Sequence, residues 1–488
     1  MAINIVKGTH DIYDDEARGF DYIEMVLKAV AEMYAFNQIR TPIIEHTELF
    51  NRSVGESSDI VRKEMYTFLD KGDRSITLRP EVTAGVMRSI VSNKLYATKD
   101  LPIKEFYIGP CFRYERPQAG RYRQFNQFGV ESVGVTNAYQ DLEVIMLGYD
   151  ALRFLGFKNV KLKINSLGDQ ESRDNYKEAL KTYFANHIDE MCEDCQERFK
   201  INPLRILDCK VESDQKIANN APKMRDYLSE SAKERFKIVT DALDEFQIPY
   251  EIDDGLVRGL DYYSHIIFEF HYRTESGMDL GAIGAGGHYD NLLKEVGGPA
   301  LAGVGLAFGI ERLYAVMKED NLLKDTSLKT DLYVMPIGEK CIKNALSVAE
   351  YLRANAYKVE VCLENKSFKQ LFKRAENANA QLAVIVGEDE VAKDEVVLKD
   401  LHTQKQVNIP LANLIDTLDM MFNDYEEEEH HDGCCSGHGH AEGDCCCDHD
   451  HEEHECGCGH HHEEDDEDEY CEEEDGHECC CHHHHHKE

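Results

Sequence analysis

Four short segments concentrate arginine, glycine, tyrosine and carboxylates beyond what turns need. They are Leu78-Arg-Pro-Glu81-Val82-Thr83-Ala84, the stretch from Gly109 to Glu131, Leu256-Val-Arg258-Gly-Leu-Asp-Tyr262-Tyr263, and the stretch from Ala302 to Arg312. Arg113, Arg121, Arg258 and Arg312 have the chemistry to clamp a polyphosphate, because guanidinium forks match phosphate oxygens and stabilise charge developing on a transferring phosphorus. Glu81, Gln127, Glu131 and Tyr263 suit a small zwitterion carrying an amine. Any one segment alone reads better as surface ion pairs and glycine turns.

These residues need a scaffold, and the hydrophobic pattern supplies one. Phe20, Ile23, Val26, Leu27, Val30 and Met33 recur at three- and four-residue steps, which predicts a helix over Glu16–Phe36 leading into an extended segment around Pro42. Short strand-like runs follow at Ser75–Leu78, Ile103–Ile108, Phe125–Val135, Ile266–His271 and Gly281–Gly284, mostly without helices between them. That arrangement predicts an antiparallel sheet in an α+β domain spanning 1–328, interrupted by a polar helical insertion at about 166–250. From Asp331 the pattern becomes strand (Leu332–Ile337), helix (Ile342–Ala354), strand (Lys358–Val361), helix (Phe368–Ala378), strand (Leu382–Val386), a smaller α/β domain over 329–424. Lys366, Lys369, Lys373 and Arg374 put positive charge along its second helix.

Together and in order, the four segments resemble a class II aminoacyl-tRNA synthetase, over about Lys7 to Met421. Phe112-Arg-Tyr-Glu115 with Arg121 and Phe125 resembles motif 2, Gly303-x-Gly305 running to Arg312 resembles motif 3, and the helix ending at Pro42 resembles motif 1. Leu256–Tyr263 and Gly284-Ala-Gly-Gly-His-Tyr-Asp290 resemble two signatures of the histidyl-tRNA synthetase family. The resemblance implies that Arg113 holds the ATP α-phosphate and Arg121 the γ-phosphate, that Phe125 and Arg312 sandwich adenine, and that Glu115 reads its amino group. It implies that Glu81, Thr83 and Gln127 take the α-amine of histidine, with Glu131 and Tyr263 on the imidazole and Val82, Tyr262 and Arg113 also at the histidine. Arg258 would bridge the histidine carboxylate and the α-phosphate, so that Arg258 and Arg113 carry the chemistry of histidyl-adenylate formation. Tyr262, Tyr289, Asp261 and His288 are equally readable as packing residues, and Cys111 as core. The implied partners are ATP with Mg2+, L-histidine and tRNA(His), the RNA approached by the Arg116–Arg123 loop and by the second domain as an anticodon-binding domain. Motif 1 implies a homodimer.

Two groups of soft ligands remain. His187, Cys192, Cys195 and Cys209, in the insertion, offer ligand types and one C-x2-C step fit for tetrahedral zinc, with free thiols as the competing reading. Residues 426–488 contain 25 acidic residues against one Lys, with 16 His and 11 Cys, so this segment alone carries −24 of the chain's net −39. Cys434, Cys435, Cys445, Cys446, Cys447, Cys456, Cys458, Cys479, Cys480 and Cys481, with His482 to His486, suit a disordered multi-site binder of transition-metal ions in a tail over 425–488 that has too few apolar residues for a core. An inert acidic tail, or a purification tag for the five His alone, are the competing readings.

The remaining 425 residues are of ordinary composition, net −15, enough for two or three domains. Their acidity argues against non-specific nucleic-acid binding. With no apolar run near the ~18 residues of a membrane span and no basic-then-apolar leader, the expected location is the cytoplasm. A catalytically silent regulatory paralogue that binds histidine is the rival function. It is disfavoured because Arg258–Tyr263 and the second domain are both present.

Overall fold

The computed structural model describes residues 3–422 except 56–57, 135–136, 258–259 and 325–329. Arg258 and the whole Cys/His-rich tail, from Cys434 through Cys481, lie outside the described residues. Two compact units divide between residues 328 and 329.

In the larger unit an eight-stranded sheet has, in spatial order, strands Asn37–Gln38, Ile103–Phe112, Gln124–Val133, Gly303–Gly309, Asp279–Tyr289, Ser264–Arg273, Lys161–Ser166 and Tyr250–Ile252. The central pairings are antiparallel, while the outermost pair at each edge is parallel. The expected antiparallel sheet is therefore present. Its strands run beyond the short apolar kernels: Ile103–Phe112 has four more residues than its hydrophobic run. The Gly303–Gly309 strand is a sheet centre that glycine content had concealed.

One face of the sheet is covered by Asp14–Met33, Tyr139–Phe154 and Ile310–Glu319. Phe20, Ile23, Leu27 and Val30 from the first of these helices join the main core, four of the expected apolar stripe; Met33 is exposed because the helix ends there. Burying such side chains is worth ~1.5–3 kcal/mol each and ties the helices to the back of the sheet. A small sheet, Ile44–His46, Ser75–Leu78 and Tyr66–Leu69, stands beside it.

The insertion leaves the sheet after Ser166 and returns at Tyr250, between adjacent strands paired in parallel. Helices Gln170–Phe184, Glu193–Ile201 and Glu212–Ala218 share a separate apolar cluster around Tyr176, Leu180 and Phe184. Its last helix, Glu230–Glu245, differs from expectation: Val239, Ala242 and Leu243 belong to the main core.

The smaller unit has a five-stranded sheet ordered Val359–Val361, Leu332–Pro336, Leu382–Val386, Glu395–Asp400, Gln406–Pro410. The first three strands are parallel, as the strand–helix alternation requires, and the last two add an antiparallel extension. Of the four cations assigned to one helix, Lys369, Lys373 and Arg374 lie on Phe368–Asn377. Lys366 precedes it and pairs with Glu364 at 2.7 Å, which also holds Arg374 at 3.1 Å.

Candidate active site

The period of two along Gln124–Val133 puts Phe125, Gln127, Gly129 and Glu131 on one face of the sheet, opposite the face that holds the main core. Phe125, Gln127 and Glu131 floor a cavity of about 670 Å³. Glu81, Thr83, Arg113, Glu115, Arg121, Phe125, Gln127, Glu131, Tyr262, Tyr263 and Arg312 all line it, so eleven of the residues singled out in the sequence converge on one space. Val82 does not line it; its side chain is buried in a neighbouring apolar cluster where it starts helix Thr83–Ser92.

One end is a set of buried oxygens. Glu131 accepts hydrogen bonds from Thr83 Oγ1 at 2.7 Å and Tyr289 Oη at 2.6 Å, with Tyr107 Oη at 3.5 Å. Burial raises its pKa to about 8, against the opposing effect of those hydroxyl donors. Glu81 accepts from the Ala84 N–H at 3.0 Å through Oε1, while its Oε2 is buried without a partner among the described residues. Burial raises the Glu81 pKa too. An orphan buried acceptor is costly, on the order of 1–3 kcal/mol, unless a ligand donor completes it.

Glycines make this end possible. Gly129 is paired across the sheet with Tyr107, and a Cβ there would lie 2.3 Å from the Tyr107 ring. Gly305 is opposite Glu131, and its Cβ would lie 2.2 Å from Glu131 Oε2. The glycine-rich composition of the third-motif strand is thus the space that the glutamate occupies.

The other end is cationic. Arg113 Nε donates to the Pro80 carbonyl at 2.8 Å, and its guanidinium stands over the Phe125 ring at 5.2 Å. Glu115 lies between Arg121 at 3.3 Å and Arg113 at 3.9 Å. Arg312 donates to the Ala282 carbonyl at 2.5 Å, and burial followed by repulsion from Arg121 lowers its pKa to about 10. Glu64 also faces Arg113 and Arg121, and Glu269 faces Arg312, so the three guanidiniums are held among carboxylates with their remaining donors free to receive phosphate oxygens.

The Arg116–Arg123 loop is more constrained than a solvated basic loop. Arg123 stacks on Tyr114 at 3.8 Å, and its backbone N–H donates to the Gly8 carbonyl at 2.7 Å. Sequence reasoning missed Tyr107, which is legible only once the strand register is known. It also missed Glu311, whose carboxylate accepts from the Asn126 N–H at 2.8 Å and whose pKa burial raises to about 7. Arg205 and Lys210, from the insertion, line the same cavity and carried no signal of their own. His288 belongs to a buried network with Asp141 at 2.8 Å and Asp290 at 3.2 Å, and Asp261 pairs with Arg205 at 3.3 Å. Cys111 is buried as expected, its thiol pushed up to about 12 by burial.

An antiparallel sheet whose open face holds such a two-ended cavity is the catalytic architecture of the class II aminoacyl-tRNA synthetases. Residues 8–313 match the family model described as histidyl-tRNA synthetase, and 331–420 match the anticodon binding domain. The histidine–tRNA ligase of Bacillus licheniformis is 46% identical over 415 residues, 85% of this chain and 98% of that protein. That of Lactiplantibacillus plantarum is 46% identical over 410 residues, 84% and 96% of the two chains. The crystal structure of apo S. aureus histidyl-tRNA synthetase superposes with a TM-score of 0.74 at 37% identity, covering 86% of this chain and all of that one. The chain belongs to the histidyl-tRNA synthetase family.

Proposed function

We infer that this chain activates L-histidine with ATP and transfers it, through a histidyl-adenylate, to tRNA(His). The observation that carries the reading is one cavity joining two buried glutamates to three guanidiniums. The α-amine of histidine donates to the orphan Oε2 of Glu81, helped by Thr83 and Gln127, while Glu131 and Tyr263 take the imidazole, with Tyr262 behind them. A site that pairs both ring nitrogens rejects apolar isosteres strongly, since its buried polar groups would be left unpaired.

ATP enters as its Mg2+ complex. Arg113 binds the α-phosphate, Arg121 the γ-phosphate, Phe125 and Arg312 hold adenine, and Glu115 accepts from its amino group. The histidine carboxylate attacks the α-phosphorus, pyrophosphate leaves, and the fixed cations of Arg113 and Arg258 stabilise the charge that develops. The tRNA terminal hydroxyl then attacks the mixed anhydride and AMP leaves. Holding the reactants in line supplies much of the rate, and no protein nucleophile is required.

The domain roles follow: 1–328 catalysis, 329–424 anticodon binding, 425–488 a metal-binding tail. Dimerisation through the motif 1 region is supported by the exposed apolar residues Met25, Ile43 and Ile44, with Phe68 and Leu69 exposed on the small sheet that Ile44 joins. Among the described residues no helix is long and apolar enough to cross a membrane, which agrees with a cytoplasmic enzyme.

Exchange of labelled pyrophosphate into ATP tests the reading. Exchange with histidine and with no other amino acid is the expected result. Histidine binding without exchange would sink it in favour of the regulatory paralogue.

A further inference from the structure

Outside the cavity, the insertion brings Cys192, Cys195, Cys209 and Asp214 together, with one ligand atom from each lying within 4.8 Å of all the others. His187, expected as a ligand, is not among them; its ring packs against Tyr183, with centroids 5.1 Å apart. Asp214 takes that place from the first turns of helix Glu212–Ala218.

Two of the edges have the length a tetrahedral zinc site requires. Zinc bonds of about 2.3 Å to sulfur and about 2.0 Å to oxygen imply S···S edges of roughly 3.8 Å and S···O edges of roughly 3.5 Å. Cys192 Sγ and Cys209 Sγ are 3.9 Å apart, and Cys209 Sγ is 3.5 Å from Asp214 Oδ2. A disulfide requires about 2.05 Å, so the sulfurs are placed as ligands and not as a bridge.

The surroundings support the set as well. Cys195, Cys209 and Asp214 are buried, the two cysteines among the apolar side chains of the insertion's own cluster. The Cys192 N–H donates to Asp214 Oδ2 at 3.0 Å and the Val211 N–H approaches Cys209 Sγ at 3.4 Å, contacts that orient ligands and offset their charge. Cys192 is the residue before helix Glu193–Ile201 and Cys195 lies in its first turn, so one helix start carries both sulfurs of the C-x2-C step.

We propose that Cys192, Cys195, Cys209 and Asp214 form a structural zinc site that staples the insertion. Binding replaces three thiol protons, released to solvent, with three Zn–S bonds and one Zn–O bond. The four ligands fill the coordination sphere, which makes the ion a fold element and not a Lewis acid. The consequence reaches the cavity, because Cys209 lies between Arg205 and Lys210, both of which line it. Helix Glu193–Ile201, which carries Cys195, is tied to the catalytic body by Arg62–Glu197 at 2.6 Å and Lys63–Asp194 at 3.4 Å. Zinc therefore fixes one wall of the cavity from outside it.

The full chain, stripped with a chelator and resupplied with zinc, tests the proposal by peptide-resolved alkylation, which separates the insertion from the Cys-rich tail. Cys192, the half-exposed member, serves as the probe. Zinc should slow its alkylation at least tenfold in the wild type. The protection should survive in Asp214→Cys, which completes a four-sulfur site, and be lost in Cys209→Ser. Equal labelling of wild-type Cys192 with and without zinc would overturn the site, whatever the variants do. Undiminished protection in Cys209→Ser would overturn it too.

Discussion

The two ends of the cavity solve opposite electrostatic problems. At the end proposed for histidine the carboxyls are buried and nearly satisfied before any ligand arrives: three hydroxyls face Glu131, and one Glu81 oxygen is left open. At the end proposed for phosphate the groups are charged and fixed: Arg113, Arg121 and Arg312 gather around Glu115, with Glu64 beside the first two and Glu269 beside the third. The first end is built for discrimination, since a preformed network penalises any ligand that leaves it unpaired. On the proposed reading the second serves catalysis, since fixed cations would act on charge that appears only as the phosphorus reacts.

The sharpest way to break the comparison is Arg113→Ala. Removing one fixed donor from developing charge costs ~10²–10³ in rate. Histidine-dependent exchange should fall by about that factor with the KM for histidine little changed. A variant that kept its rate and lost only ATP affinity would make Arg113 a binding residue and erase the distinction between the ends.

Glu131→Gln comes next, with an expected rise in the KM for histidine of roughly 10–100-fold, the cost of a charged hydrogen bond. It also sets a pH signature. In the free protein Glu131 holds its proton up to about pH 8, while free histidine has lost its ring proton above ~6.5. One proton is shared in the complex, so between those values binding takes up none and affinity is flat. Below ~6.5 binding must release a proton and affinity falls as pH falls; above about 8 it must take one up and affinity falls as pH rises. The amide keeps the first limb and loses the second. Calorimetric titration across pH 5.5–9 checks this, and a wild-type affinity still rising above pH 8 would show that Glu131 does not share that proton. The sign for stability is separate: a carboxyl raised from 4.5 costs stability as pH climbs from there toward 8, so Glu131→Gln should gain Tm on the wild type over that range.

What the sequence made legible differs between the ends for a physical reason. Arg113, Glu115 and Arg121 lie in one stretch of chain, so spacing alone groups them, and the motif strand carries Gln127 and Glu131 with them at period two. Tyr107 and Gly305 meet Glu131 only through cross-strand register, which no single segment encodes. The first three strands and two α-helices of the α/β unit were read nearly to the residue because its central strands are buried on both faces and its helices amphipathic, as at Leu382–Val386 and Ile342–Ala354. The strands Glu395–Asp400, half-exposed at alternate positions, and Gln406–Pro410, mostly exposed, were not read. The Gly303–Gly309 strand was missed because its glycines depress β propensity in the very place where they admit side chains. Asp214 was missed because ligand spacing points to cysteine and histidine, and a carboxylate five residues after Cys209, on the next helix, joins only after folding.

The smallest effect tests whether backbone space alone sustains the difference. Gly305→Ala adds one methyl group that would lie 2.2 Å from Glu131 Oε2, at a position whose backbone is an ordinary strand. Glu131 must then move by about an ångström, lengthening its bonds to Tyr289 and Thr83, while Arg113 and Arg121 are untouched. Overpacking of this kind costs ~1–3 kcal/mol. The expected result is a Tm lower by a few degrees and a several-fold rise in the KM for histidine, with the KM for ATP unchanged, read by exchange kinetics with each substrate varied in turn. Equal rises in both constants would mean that the two ends move as one body, and that Glu131 is not held by the glycine opposite it.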